Sequence, residues 1–273
     1  MRLRTVLLDG AETLLCRTEP DGPWRRARPT MAEVIAGTPP ELGEPVAEHP
    51  AVLPLRPPTI FGIGLNYRDT VAEMGWKTPE TPYVFPKLSS SAIGDGEPVV
   101  VDTAVTTRAD WETELAVLIG RRTRNVPADR ALESVFGYTV ADDISARDLQ
   151  AADGQWVRGK GMDTFCPLGP DVVTADEVPD PQALRVRTWL NGEPVQDGST
   201  ADMIFDVAAL ISYLSSFCTL HPGDVVLTGT PSGCGDFRTP PRALRPGDRL
   251  VSEVEGVGLL TNPVVAPQLA GAT

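Results

Sequence analysis

Trp111-Glu112-Thr113-Glu114-Leu115-Ala116-Val117-Leu118-Ile119 combines an apolar run with two acidic residues one position apart. Leu115 to Ile119 reads as a buried strand by composition. Side chains at i and i+2 of a strand share one face, so Glu112 and Glu114 project together at the edge of an apolar core. Two adjacent carboxylates repel unless a cation or a shared proton compensates them, and a hard divalent ion is the economical solution. The same spacing also fits an exposed strand end carrying two solvated glutamates.

Three further segments carry chemistry. Ala141-Asp142-Asp143-Ile144-Ser145-Ala146-Arg147-Asp148-Leu149-Gln150 follows an apolar strand around Gly137 to Val140. A carboxylate there can supply a third metal oxygen, and an all-oxygen set points to Mg²⁺, Mn²⁺ or Ca²⁺ rather than Zn²⁺. The spacing is not that of an EF-hand loop, and a helix N-cap with surface charges is the plainer alternative. In Arg158-Gly159-Lys160-Gly161 a lysine stands between two glycines, where backbone can approach a ligand closely; an ordinary loop lysine reads the same way. Leu227-Thr228-Gly229-Thr230-Pro231 is a strand running into a glycine-rich turn, without the Lys-Ser/Thr of a phosphate loop.

The rest of the chain sets the frame. The 273 residues suffice for one large domain with a small appendage. Net charge is −13, which disfavours nucleic acid and anionic membrane as partners. No apolar run approaches the length of a membrane span. Cys16, Cys166, Cys218 and Cys234 are scattered, so a zinc site or disulfide framework is not expected and a reduced cytoplasm fits. The two histidines, His49 and His221, leave little scope for a Ser-His or Cys-His nucleophile.

Residues 1–55 read as a small N-terminal unit, with strands flanking the Asp9-Gly10 turn, a short helix capped by Thr30, and a proline-rich continuation. From Thr59 onward strands dominate, at 59–65, 98–102, 112–119, 136–141, 184–190, 224–229, 249–254 and 258–261. Asn191-Gly192 marks a hairpin. One amphipathic helix is predicted over roughly 202–217 from Ile204, Val207, Ala208, Ile211 and Leu214. Helices do not alternate with strands, so the expected class is mixed α/β and mostly β rather than a doubly wound parallel sheet.

Taken together, Gly64-Leu65-Asn66-Tyr67-Arg68-Asp69, Glu112-x-Glu114, Asp143 to Gln150, Asp153-Gly154-Gln155-Trp156, Gly159-Lys160-Gly161 and Leu227 to Pro231 resemble the fumarylacetoacetate hydrolase family over residues 59–265. The resemblance implies a β-roll catalytic domain over 56–273 behind a small variable N-terminal domain, and a homodimer. It implies Mg²⁺ or Mn²⁺, with Ca²⁺ also admissible, on Glu112, Glu114 and Asp143. It implies a small 2-oxo acid or 1,3-dicarbonyl substrate contacted by Arg147, Gln150 and Thr230, with Lys160 catalytic. The alternative for Arg147 is a pair with Asp148 or Glu114 that only orients the metal ligands. The shared chemical theme is an enolate, reached by C–C hydrolysis, decarboxylation or tautomerisation. Family members often carry His at the position of Thr70, paired with Glu three residues on, here Glu73. Thr70 cannot act as a base near neutral pH, so hydrolysis is expected to be slow, with Glu73 the remaining base on that helix face. The alternative is a member with lost or altered catalysis that binds metal and ligand.

Overall fold

The computed structural model describes residues 1–268. Its main element is one long, mostly antiparallel sheet. Read across, the strands are Glu41–Val46, Trp24–Arg28, Ala11–Arg17, Arg2–Leu8, Cys166–Thr174, Val135–Asp142, Thr113–Ile119, Val225–Leu227, Ile60–Gly64 and Tyr83–Lys87. A second sheet runs Glu193–Ser199, Arg185–Leu190, Arg249–Val254, Gly258–Val265 and Val99–Val100. The protein is therefore mixed α/β and mostly β, as the pattern of strand signals predicts. None of its described helices is long and apolar enough to cross a membrane.

Thr113–Ile119 is buried along its whole length, and its alternation explains why. Leu115, Val117 and Ile119 pack into a cluster with Val207, Leu210, Ile211 and Leu214 of the helix Val207–Phe217. Ala116 and Leu118 face the opposite way, into a cluster with Leu3, Met31, Ile35 and Leu168. With both faces covered, the strand reads as a continuous apolar run rather than an alternating one. Its neighbour Val135–Asp142 pairs with it in the register Thr113↔Asp142 and Leu115↔Val140, which brings Asp143 beside the acidic end of the central strand.

Element boundaries follow local chemistry. The long helix begins at Val207 rather than near 202, because Asp206 caps it by accepting from the Ala209 amide at 2.7 Å. Residues Thr200–Asp202 make a separate 3₁₀ turn. The N-terminal hairpin forms around Asp9-Gly10, and Met31–Ile35 is a helix with a full capping box between Thr30 and Glu33. Residues 1–55 join the main sheet edge to edge, with Arg2 opposite Val173 and Leu3 opposite Val172. The partner strand Cys166–Thr174 contains Pro167, Gly169 and Pro170, and those breakers hide it from a reading by strand propensity. All four cysteines are free.

At Gly137 two neighbouring strands approach closely. A Cβ there would lie 2.3 Å from the Val173 carbonyl oxygen, a backbone atom that cannot swing aside. Gly137→Ala is expected to destabilise the fold by about 1–3 kcal/mol through overpacking. That corresponds to a fall of about 2–12 °C in Tm for a chain of this size, read by thermal unfolding. An unchanged Tm would show that the two strands separate without cost.

Candidate active site

The acidic residues converge. Glu112 and Glu114 lie at the start of the central strand, and Asp143 immediately follows its neighbour; all three are buried. One ligand atom from each lies within 4.8 Å of the others. About 30 residues separate the pair from Asp143, so the strand register, not local sequence, creates the cluster. Glu114 shares its strand face with Ala116 and Leu118, which places its carboxylate at the edge of the core.

Three cations brace the cluster. Lys160 Nζ donates to Glu112 Oε2 at 2.6 Å and Asp143 Oδ2 at 2.7 Å. Lys87 Nζ donates to Asp143 Oδ1 at 2.6 Å, to Ile144 O at 3.3 Å, and to the Lys160 carbonyl. Arg147 Nε donates to Asp110 Oδ2 at 2.9 Å, and its Nη2 makes a 2.6 Å charge contact with Glu112 Oε1 outside hydrogen-bonding angles. Arg147 therefore pairs with Asp110 and Glu112, not with Asp148 or Glu114. Asp148 is spent on Thr106, Thr107 and its own helix start.

Burial opposes the charge on Asp143, but Lys160 and Lys87 outweigh it and hold the carboxyl below the usual range. Burial also opposes the charge on Lys160, and Asp143 and Glu112 outweigh that, keeping it an ammonium. Glu114 differs. Burial, then the charges of Asp143 and Glu112, push it well above the ordinary carboxylate range. Burial pushes Asp142, which lies beneath the cluster, up to about 7.

Glu112, Glu114, Arg147 and Lys160 form the floor of a cavity of about 270 Å³, while Asp143 lies behind them and does not line it. Glu112, Glu114, Arg147, Gln150, Lys160 and Thr230 all line it, so six of the residues singled out in the sequence meet in one place. The Thr230 hydroxyl is largely used internally, donating to Thr113 O at 2.9 Å and accepting from Gln196 Nε2 at 2.9 Å. Gln150 accepts from Arg147 Nη1 at 3.5 Å, and no described residue pairs with its Nε2. Thr70 lines the wall, its hydroxyl donating to Thr230 O at 2.8 Å. Neither His49 nor His221 lines the cavity. Glu73 does not line it either; its exposed carboxylate accepts from the Gly233 amide at 3.0 Å.

The residues fit a divalent metal. Asp110, Glu112, Glu114 and Asp143 set four carboxylates against Lys87, Arg147 and Lys160, leaving the network short of positive charge. Glu114 Oε2 accepts from the Gly229 amide at 2.6 Å, whereas no described residue donates to Oε1. Three carboxylates are a hard oxygen donor set, suited to a hard cation.

Sequence reasoning missed Lys87, Asp110, Arg108 and Asp236. Lys87 had a signal: it is in phase with Phe85 on the strand Tyr83–Lys87, and both are buried. Asp110 accepts from the Trp111 amide and from Arg147, and also from the amides of Gly235 and Asp236, which belong to a loop over 120 residues away. In the Gly64-Leu65-Asn66 motif, Gly64 and Leu65 line the cavity, whereas Asn66 is structural: its Nδ2 donates to Thr228 O and Phe205 O, and Oδ1 accepts from the Phe205 amide.

The chain has relatives among known proteins. The family described as fumarylacetoacetate (FAA) hydrolase C-terminal matches residues 59–265. A rat protein named oxaloacetate tautomerase Fahd2a, mitochondrial, is 44% identical over 211 residues, covering 77% of this chain and 67% of the relative. The solved structure of a fumarylacetoacetate hydrolase from psychrophilic Exiguobacterium antarcticum superposes with a TM-score of 0.90 at 35% identity, covering 98% of this chain and all of that one. A 5-carboxymethyl-2-hydroxymuconate delta-isomerase from Mycobacterium smegmatis superposes with a TM-score of 0.83 at 36% identity, again over 98% of this chain and all of that one. The names of these relatives include tautomerase and isomerase activities, not hydrolysis alone. On the family match, these identities and the shared fold, the chain belongs to the fumarylacetoacetate hydrolase family.

Proposed function

We propose that the protein is a divalent-metal-dependent enzyme that interconverts the keto and enol forms of a small 2-oxo acid, in the manner that the name of its oxaloacetate tautomerase relative describes. The observation that carries this reading is a buried carboxylate triad, braced by Lys160, in a cavity whose described lining contains no histidine. Glu112, Glu114 and Asp143 would hold Mg²⁺ or Mn²⁺, which when bound would supply Lewis-acid stabilisation of negative charge on a substrate oxygen.

The chain's own side chains do the remaining work. Lys160, kept cationic by Glu112 and Asp143, sets a fixed positive charge where the enolate oxygen develops. Gln150 offers its amide N–H groups to the substrate carboxylate, and Arg147 holds Glu112 in place. Tautomerisation takes a proton from carbon and delivers one to oxygen, so it needs a proton acceptor, for which the cavity-lining carboxylates are the available groups, but it needs no water activated as a nucleophile. C–C hydrolysis would need that activated water as well, and Thr70 in place of a lid histidine cannot supply the base for it.

The test follows oxaloacetate enol by its ultraviolet absorbance, with and without chelator, beside acylpyruvate hydrolysis and pyruvate release. Rapid metal-dependent tautomerisation with slow hydrolysis is expected. Rapid acylpyruvate hydrolysis by the unmodified enzyme overturns the reading. Lys160→Met is expected to lower kcat/KM for tautomerisation by about 10²-fold or more through loss of one charge-stabilising donor. A change below about threefold would mean that Lys160 serves only to neutralise Glu112 and Asp143.

A further inference from the structure

Among the charged side chains of the cavity, Arg108 stands apart. Arg147 and Lys160 are buried and committed to Asp110, Glu112 and Asp143. Arg108 also lines the cavity, but its side chain is 49% exposed, so it belongs to the mouth rather than the floor. Its Nε donates to Asp236 Oδ1 at 2.8 Å and its Nη2 to Asp236 Oδ2 at 2.6 Å. This side-on fork spends two of the five guanidinium N–H groups. No described residue pairs with Nη1, so the far edge of the guanidinium keeps its donors.

Both partners are anchored. The Arg108 carbonyl accepts from the Arg147 amide at 3.0 Å, which ties it to the floor. The Asp236 and Gly235 amides donate to Asp110, the same carboxylate that holds Arg147. Gly235 is clamped against its surroundings: a Cβ there would lie 2.0 Å from Arg242 O and 2.6 Å from the Trp111 ring. Phe237 lines the wall beside the pair, and Arg147 lies 5.4 Å from its ring centroid. Asp236 thus holds one edge of a planar cation while the other edge is left for an anion. A guanidinium edge matches a carboxylate with two parallel hydrogen bonds.

We propose that Arg108, oriented by Asp236, is the specificity determinant that selects substrates carrying a second carboxylate distal to the 2-oxo acid group, so that the substrate class is a short oxo-dicarboxylate. This rests on the proposed placement of a 2-oxo acid at the triad. The distal carboxylate takes the Arg108 edge while the 2-oxo acid end faces Lys160 and Gln150. Arg108 is a binding residue here and makes no contact with the reacting carbon.

The test uses binding, so it does not depend on turnover. With Mg²⁺ present, calorimetric titration compares oxaloacetate with pyruvate, which has the same 2-oxo acid group and no second carboxylate. The wild type is expected to prefer oxaloacetate, and Arg108→Gln to weaken oxaloacetate by about tenfold or more while moving pyruvate less than twofold. Arg108→Lys keeps the charge without the fork and is expected to fall between them. If Arg108 is only a latch between its strand and the Asp236 turn, Arg108→Gln will shift both ligands equally or neither, and the proposal fails. If oxaloacetate binds with the expected Arg108 dependence but its tautomerisation is not accelerated, the reaction assigned above fails while this inference stands. If the wild type does not discriminate between the two ligands, the inference fails irrespective of the reaction.

Discussion

Replacing Glu114 with glutamine is expected to lower metal-supported turnover by about 10²-fold or more while making the metal-free protein more stable. The two effects share one cause. Glu114 is a fully buried carboxylate beside Glu112 and Asp143, and its charge is disfavoured first by burial and then by those neighbours. A glutamine has the same shape, and its amide oxygen still accepts from the Gly229 amide, now 2.6 Å from Oε2. What disappears is a negative charge that suits a cation and strains the protein without one. Relief of that charge should add about 1–3 kcal/mol to metal-free stability. The Tm rise produced by saturating Mg²⁺ or Mn²⁺ should shrink, because ligand-linked stabilisation scales with affinity. Unfolding with and without metal, together with calorimetric metal titration, reads both. Unchanged metal affinity with wild-type turnover would remove Glu114 from the ligand set.

Lys87→Met is expected to be the most damaging single change to stability near the site, at about 3–5 kcal/mol. The Lys87 ammonium is completely inaccessible and satisfies Asp143 Oδ1 and the carbonyls of Ile144 and Lys160. A methionine occupies similar volume and donates nothing, so a buried carboxylate oxygen and two carbonyls lose a partner together. Lys160→Met should cost less, because Lys160 lines the cavity, where water can replace its donors. The two lysines touch the same carboxylate, yet removing Lys87 chiefly weakens the fold and removing Lys160 chiefly weakens the chemistry. The denaturant midpoint of the metal-free variants measures the difference. A loss below about 1 kcal/mol for Lys87→Met would show that Asp143 is held without it.

Some features were legible because their causes are local. Leu115 to Ile119 is apolar at every position because the strand is covered on both faces, and Glu112 and Glu114 share a face because strands alternate. Thr30 and Glu33 form a capping box that four consecutive residues encode. Six of the residues that the family motifs single out line one cavity, while Asp143 and Glu73 do not. The strand Cys166–Thr174 was not legible, because its prolines and glycine suppress the propensity signal while the neighbouring strands supply the pairing. The start of the long helix was misplaced by five residues, because Ile204 is in phase with the helix although Asp206 caps after it.

Composition, periodicity and motif spacing by themselves determined the strand-rich class, the central strand and the acidic pair. These depend on residue type and on neighbours a few positions away. Tertiary structure alone decided how charge is distributed in the site. It set Lys160 between Glu112 and Asp143, put Lys87 on the other oxygen of Asp143, turned Arg147 toward Asp110, and left Glu114 Oε1 and Arg108 Nη1 without a hydrogen-bond partner among the described residues. The physical reason is that an ion pair depends on three-dimensional distance and burial, and its strength on how much water the surrounding core excludes. None of these is a property of sequence separation: Lys87 and Asp143 lie 56 residues apart and 2.6 Å from one another.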